Sequence, residues 1–543
     1  MKNNKRQTFL YGAFILICAN IIVKIIGAVF RIPIYKILGG VGYANYQDAY
    51  VLYAMFFTIS TAGLPVAIQR MVAVANFNKN YEEEKKIFRL SLVSFVAVGV
   101  LGTAAMMLGA DVYSSFVSNK DAYYGILVLA PTLFFVCIMS AYRGYFQGRA
   151  NMIPTSVSEI IGALGKLIIG IGAAVYAVNK YGAERLDIVA AFAIGGLTVG
   201  VAAGVLYLFI KKLLSGLAEK ELNTGLPPHI RVRKNGEILR EIIFMSLPMM
   251  FSASIVSMAG MIDSFIMKRR LMDIGWTNES AIEAFGDYTG MAFPFFSLPN
   301  TLVVPLGVSI ISVIAAAFDE KNIKLIKSTV ESTFRVALII AMPCALGLAS
   351  MSKPLLNLVY SESPDAVNST APLLSVLAVA VVFVCMMTVT TQMLNAQRQE
   401  RKPIISMACG MLVKIISGYI LIGIPEINKF GTPISTVLCY AAIMCMNFYF
   451  LAKNTGIVPP IKRTFIKPFI AGSVMSVCTI SVYIILNNLL DGSRIAALIA
   501  LIFAVLIYII LILVLKTLTR EDIMLLPKGA KLYDAMKKKR LID

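Results

Sequence analysis

Histidine, tryptophan and charge are all scarce in this chain. Its 543 residues include one histidine, His229, and one tryptophan, Trp276, and only 15% are charged, against roughly a quarter in soluble domains. A single histidine in a polar stretch leaves no material for a histidine metal centre or a Ser-His-Asp triad. The eight cysteines (Cys18, Cys137, Cys344, Cys385, Cys409, Cys439, Cys445 and Cys478) all stand in apolar segments and form no Cys-x-x-Cys pair. They read as small core residues, not as disulfides or metal ligands. No nucleotide-binding motif is visible, which argues against ATP as the direct drive. The net charge of +20 lies in short loops and one tail, so a nucleic-acid partner is not expected.

What is abundant is apolar length. The chain is 58% hydrophobic, with a mean hydropathy of +0.77. A spanning helix needs about 20 largely apolar residues. Fourteen such spans are expected, at 9–32, 44–74, 88–110, 123–146, 153–178, 187–210, 239–265, 287–317, 332–351, 371–396, 404–424, 431–452, 464–487 and 494–516. The basic Met1–Arg6 precedes an apolar run long enough to span, so the first span is expected to be a retained helix, not a cleaved leader.

Lys and Arg placement orients the helices. With the N-terminus in the cytoplasm, 35 of the 50 Lys and Arg fall on the inner side and 11 on the outer. Both termini are therefore expected on the cytoplasmic side of the membrane. The largest inner loop, about 211–240, is basic and contains Pro227 and Pro228; it reads as a linker on the anionic inner leaflet. The largest outer segment, about 268–285, is too short to carry a catalytic domain.

Two stretches repeat. Tyr145 to Pro154 leads into a helix containing Lys166, and Met393 to Pro403 leads into one containing Lys414; Gly63-Leu-Pro65 echoes Ser297-Leu-Pro299. The offsets match six helices, and both copies enter from the cytoplasm, so the repeats are parallel. The expected organisation is an all-α polytopic protein: a six-helix half at 1–210, a basic linker at 211–238, a second half at 239–453, two extra helices at 454–517 and a basic tail at 518–543.

Lys24, Asp48, Lys166 and Lys414 fall where hydrocarbon should be, which marks a polar interior or a transport path. Asn20, Lys24, Gly27 and Arg31 share one helical face and can present cations to a pyrophosphate. Snorkelling of Lys24 and Arg31 is the structural alternative. Asp48 is expected to pair with Arg31 or Lys24 when cargo is absent, forming a gate. Glu159 and Lys166, seven residues apart, are expected to face the interior together, with a buried structural pairing as the alternative. Arg70 is placed to guard the inner entrance. Asp263 is the corresponding acid of the second half, a candidate for coupling or gating.

The chain resembles the multidrug/oligosaccharidyl-lipid/polysaccharide exporter superfamily, and within it the stage V sporulation protein B-like polysaccharide biosynthesis proteins, relatives of the lipid II flippase. The residues that carry the resemblance are Lys24-Ile-Ile-Gly27, Arg31, Gly39-Gly-Val-Gly42 leading to Asp48, Gly63-Leu-Pro65, Tyr142-Arg-Gly-Tyr-Phe-Gln-Gly148 leading to Met152-Ile-Pro-Thr155, and the tail residues Arg520-Glu-Asp522 and Leu526-Pro527. One departure is that Asp287, near the start of the eighth helix, has no arginine beside it, where lipid II flippases often carry an Asp-Arg pair.

The resemblance implies a non-enzymatic flippase for an undecaprenyl-pyrophosphate-linked sugar, with Lys24, Arg31 and Asp48 lining a central cavity. It implies no cofactor, with membrane lipids as partners and a coupling cation left open. The competing readings are a cation-coupled multidrug exporter, which would favour acids over bases in its cavity, and a membrane glycosyltransferase or polymerase, which would need carboxylates on a sizeable outer loop.

Overall fold

The computed structural model describes residues 2–61, 63–182, 184–222, 233–304, 323–397, 399, 401–457, 462–490 and 494–519. Among these residues there are helices, turns and short connections but no strand. Ten helices are long and apolar enough to cross a membrane, from Tyr81–Leu108 to Arg494–Val514. They correspond to ten of the fourteen expected spans. Of the other four, 9–32 lies in Lys2–Thr61 ahead of the break at Gly39, 239–265 lies within Asn235–Asp273, 44–74 is interrupted at Gly63, and 287–317 begins in a π-helical segment. The last part of 287–317, from residue 305, lies outside the described residues, as do Pro227, Pro228, His229 and the tail from 520.

The chain divides into two compact units. The first holds residues up to Arg269 and Thr277–Gly286; the second holds Arg270–Trp276 and everything from Asp287. Hydropathy places the helix at 239–265 at the head of the second half. In the structure its parent helix, Asn235–Asp273, sits in the first unit as far as Arg269. The reason is its packing: Ser246, Gly260, Ser264 and Lys268 all contact first-unit helices. The outer segment 268–285 is mostly not a loop, because this helix continues to Asp273 and another covers Asn278–Asp287.

Glycines set the shape of the first unit. The run Lys2–Thr61 breaks at Gly39, which has φ 65° and ψ −173°, a conformation side chains oppose. Beside this break, Gly286 lies so close to Gly40 that a Cβ would strike the Gly40 carbonyl. Gly286→Ala is expected to cost about 1–3 kcal/mol through forced separation, read as a lower thermal midpoint in detergent.

The expected span 44–74 is interrupted at Gly63. A Cβ on Gly63 would lie 2.7 Å from Ser246 Cα, and Pro65 then sits in the first turn of Leu64–Phe77. The glycines of the Arg-Gly-Tyr-Phe-Gln-Gly run serve the same helix. A Cβ on Gly144 would meet Ile68 Cβ at 2.9 Å, and one on Gly148 would meet Val72 Cβ at 2.7 Å. That motif is therefore partly a packing surface, with small residues four apart letting two helices approach closely.

Helices Ile153–Tyr181 and Leu186–Leu222 touch backbone to backbone, Gly165 against Gly200 and Gly170 against Gly196. This contact holds the helix that carries Lys166. Helix Tyr81–Leu108 starts at Asn80, whose side chain accepts from the Glu83 N–H at 3.1 Å and donates to the Glu83 carboxylate at 2.8 Å. Glu82, Glu83 and Glu84 complement the positive end of its dipole.

In the second unit, a π-helical segment, Tyr288–Ala292, precedes Pro294, and the Tyr360 hydroxyl donates to the Gly290 carbonyl at 3.2 Å. The last two helices, Lys467–Leu489 and Arg494–Val514, share a compact core of Ala471, Met475, Ala504, Tyr508 and Ile512. Tyr508 anchors it by donating to the Ile339 carbonyl at 2.8 Å.

Candidate functional site

Beyond the Gly39 break, the chain from Gly40 to Thr61 carries Tyr43, Tyr46, Tyr50, Tyr53 and Phe57, spaced 3, 4, 3 and 4. That spacing puts the rings on one helical face. They form a continuous ladder with successive centroids 5.7, 6.2, 6.0 and 5.7 Å apart. Phe30, from the first arm of the broken run, joins it 5.9 Å from Tyr46.

Lys166 reaches this ladder. Its Nζ lies 4.7 Å from the centroid of Phe30, 4.9 Å from Tyr50 and 5.7 Å from Tyr46. Aromatic faces stabilise a cation without neutralising it. Arg31, next to Phe30 and half-buried, is close enough for its charge to act on Lys166, Tyr43 and Tyr46. Among the described residues neither Arg31 nor Lys166 makes an ion pair. Two neighbouring cations in a low-dielectric aromatic setting repel each other, and a polyvalent anion between them relieves that repulsion. Polar capacity is also left over: the Tyr46 hydroxyl and both ends of the Asn45 carboxamide are buried without a hydrogen-bond partner.

The other expected site residues fall elsewhere. Asp48 does not pair with Arg31 or Lys24. It is fully buried against the equally buried Lys268, with Nζ 2.6 Å from Oδ2, and also accepts from Asn119 at 2.7 Å and Ser264 at 2.5 Å. A buried carboxylate needs a cation and donors, and this set supplies both. Charge counting alone assigned Lys268 to an outer segment, although its position five residues beyond Asp263 on an apolar helix was the available signal.

Glu159 does not share a site with Lys166. It pairs with Arg143 at 3.5 Å, and Arg143 also donates to Ser158 at 3.2 Å. Lys24 is exposed among the exposed Ile21, Ile22 and Ile25, so it does not join the cage. Arg70 is exposed midway along Leu64–Phe77, Asp263 is half-buried on Asn235–Asp273, and Lys414 is buried in Arg401–Ile422 of the second unit. No cluster of three or more metal-ligating side chains occurs among the described residues.

A second charged cluster lies at one end of the first unit. Arg149 pairs with the buried Glu84, and Arg233 pairs with both Glu83 and Glu241. Burial works against the Arg233 charge, but the two carboxylates hold its pKa above the ordinary arginine value. Lys86 donates to the Arg233 carbonyl at 2.6 Å, tying the end of the linker to the first turn of Tyr81–Leu108. Arg233→Ala is expected to leave Glu83 and Glu241 repelling each other and to make the 211–240 segment more open to limited proteolysis.

Known proteins resemble this chain in sequence and in fold. Residues 9–275 match the polysaccharide biosynthesis protein family and residues 248–420 match the MatE family. The chain is 25% identical over 512 residues to the lipid II flippase MurJ of Bacillus subtilis (strain 168), covering 91% of this chain and 92% of that protein. It is also 25% identical over 365 residues to the stage V sporulation protein B of the same organism, covering 67% and 68%. A solved structure of lipid II flippase MurJ in an inward closed conformation shares the fold, with a TM-score of 0.64 and 15% identity over 92% of this chain and 98% of that one. The chain is thus a multi-pass bacterial membrane protein with a polysaccharide biosynthesis protein region followed by a MatE region, related to the lipid II flippase and to stage V sporulation protein B.

Proposed function

We propose that this protein is a flippase that moves an undecaprenyl-pyrophosphate-linked sugar precursor, lipid II in the first instance, from the inner to the outer leaflet. The observation that carries the reading is a pair of neighbouring cations, Lys166 held among aromatic rings and Arg31 beside it, with no carboxylate partner among the described residues. A diphosphate supplies the missing negative charge, and the Arg31 guanidinium offers the forked donors that phosphate oxygens accept. The unpartnered Tyr46 hydroxyl and Asn45 carboxamide suit a polar head group. The names of the relatives support the same cargo class.

The topology that goes with this function has fourteen helices, two parallel six-helix halves and two further helices, with both termini in the cytoplasm. The halves alternate access to the two faces while the polyprenyl tail stays in lipid. Lys24 and Lys414 act as secondary cationic contacts along the path, and Asp48 acts through Lys268. Glu159, through Arg143, and Asp263 are the acids available for coupling or gating. No catalytic step is assigned to the chain.

The test is complementation of a cell whose lipid II flippase can be switched off. Wild type is expected to restore growth and the Lys166→Ala variant is not, at equal amounts in the membrane. Failure of the wild type, with the protein present in the membrane, overturns lipid II as the cargo. The match to the MatE family favours a second reading, a cation-coupled multidrug exporter. That reading predicts raised drug tolerance on expression, independent of Lys166.

A further inference from the structure

At the inner end of the first unit, Leu64–Phe77 and the start of Asn235–Asp273 enclose an open groove of about 490 Å³ lined by Arg70, Glu237, Arg240, Glu241, Phe244 and Met245. The two arginines come from different helices. Each lies in an exposed apolar stripe. Arg70 is flanked at helical spacing by Val66, Val74 and Phe77, which are 42%, 52% and 83% exposed. Arg240 lies one turn from Phe244, 78% exposed, and close to Ile243, 54% exposed.

Large aromatics exposed to this degree are stable beside acyl chains and costly in water. The groove therefore faces lipid, at the depth where arginine side chains reach head groups. Of the two acids that line it, Glu241 is held by Arg233, and Glu237 accepts the Lys234 backbone N–H at 3.3 Å. Among the described residues Arg70 and Arg240 have no ion-pair partner.

We propose that this groove binds the phosphate head group of an anionic inner-leaflet phospholipid, with Arg70 and Arg240 on the phosphate and Phe244 and Phe77 against the acyl chains. It is separate from the Arg31–Lys166 cage and does not depend on what that cage transports. Charge complementarity selects the occupant: two cations on a lipid-facing surface attract an anionic head group over a zwitterionic one.

The test uses the full-length protein in detergent with added phosphatidylglycerol, phosphatidylcholine or undecaprenyl diphosphate, read by thermal shift and by native mass spectrometry. Phosphatidylglycerol is expected to raise the midpoint and remain bound, and phosphatidylcholine is not. Arg70→Ala is expected to weaken phosphatidylglycerol binding roughly fivefold, and Arg70→Ala with Arg240→Ala about 30-fold. Arg70→Lys, which keeps the charge, retains binding and guards against a folding defect. Equal stabilisation by phosphatidylcholine overturns the proposal. So does a double variant that keeps its phosphatidylglycerol, or one that loses only undecaprenyl diphosphate; the last result would give the groove to the transported lipid.

Discussion

Lys268→Met is expected to lower the thermal midpoint of the purified protein more than any other single change considered for the first unit. Lys268 and Asp48 are both 0% exposed, with Nζ 2.6 Å from Oδ2. Removing one partner of a buried pair leaves an uncompensated charge and costs about 3–5 kcal/mol. Asn119 and Ser264 still donate to Asp48 in this variant, but hydrogen bonds do not replace the lost cation. Asp48→Asn is expected to be comparably damaging, since it strands an ammonium group with no other acid in contact among the described residues. Combining Asp48→Asn with Lys268→Met removes both charges, and most of the stability is expected to return. The comparison is a double-mutant cycle on thermal unfolding in one detergent. If the double variant is as unstable as the sum of the two singles, the pair is not the source of the loss.

Lys166→Gln and Arg31→Gln are expected to weaken transport severely while leaving the fold intact or more stable. A hydrogen bond to a charged group contributes about 1.5–3 kcal/mol, so each substitution is expected to reduce transport roughly 10- to 100-fold. The stability prediction has the opposite sign to that for Lys268. Lys166 and Arg31 repel each other and have no acid partner among the described residues, so removing either charge relieves strain in the empty protein. Thermal midpoint and complementation measured on the same preparations separate a binding role from a structural one. Lys166→Arg is expected to retain partial activity, because it keeps the charge but not the compact shape that fits between Phe30 and Tyr50. Tyr50→Leu removes one wall of the cage and up to about 2 kcal/mol of cation–π stabilisation, and is expected to weaken transport less than loss of the lysine. A Lys166→Gln variant that is inactive only because it fails to fold would overturn the assignment.

The sequence made the helical architecture legible because spanning segments announce themselves by length and hydropathy, and ten of them recur with small shifts at their ends. It also singled out Lys166 and Arg31, because a cation in an apolar helix is costly wherever the helix packs. It did not show their partners. The Tyr43–Tyr46–Tyr50–Tyr53–Phe57 ladder was present as a 3-4-3-4 spacing, but aromatic residues at that spacing are common in buried helices, and only the approach of Lys166 marks this set. Asp48 was legible as a buried charge, yet its partner Lys268 lies 220 residues away, and Lys and Arg counting placed it in an outer segment. Glu159 was legible as an interior acid, but Arg143, at the end of the preceding helix, claims it. The break at Gly39 was visible only as a glycine-rich stretch; neither its positive φ nor the close approach of Gly286 to the neighbouring Gly40 can be read from residue order.

The unneutralised cation pair has an electrical consequence. On the proposed reading a bound diphosphate balances the charges of Arg31 and Lys166, and the empty cage leaves them unbalanced. On the proposed cycle the step with the larger net positive charge is therefore the return of the empty protein. An inside-negative membrane potential contributes about 2.3 kcal/mol per 100 mV for each charge that crosses the whole field. Any inward displacement of Arg31 and Lys166 during reset draws on that energy. Voltage would then act on the turnover of this protein through its own side chains as well as through the charge of what it carries, and the loss of voltage sensitivity in Lys166→Gln would mark the share that belongs to the protein.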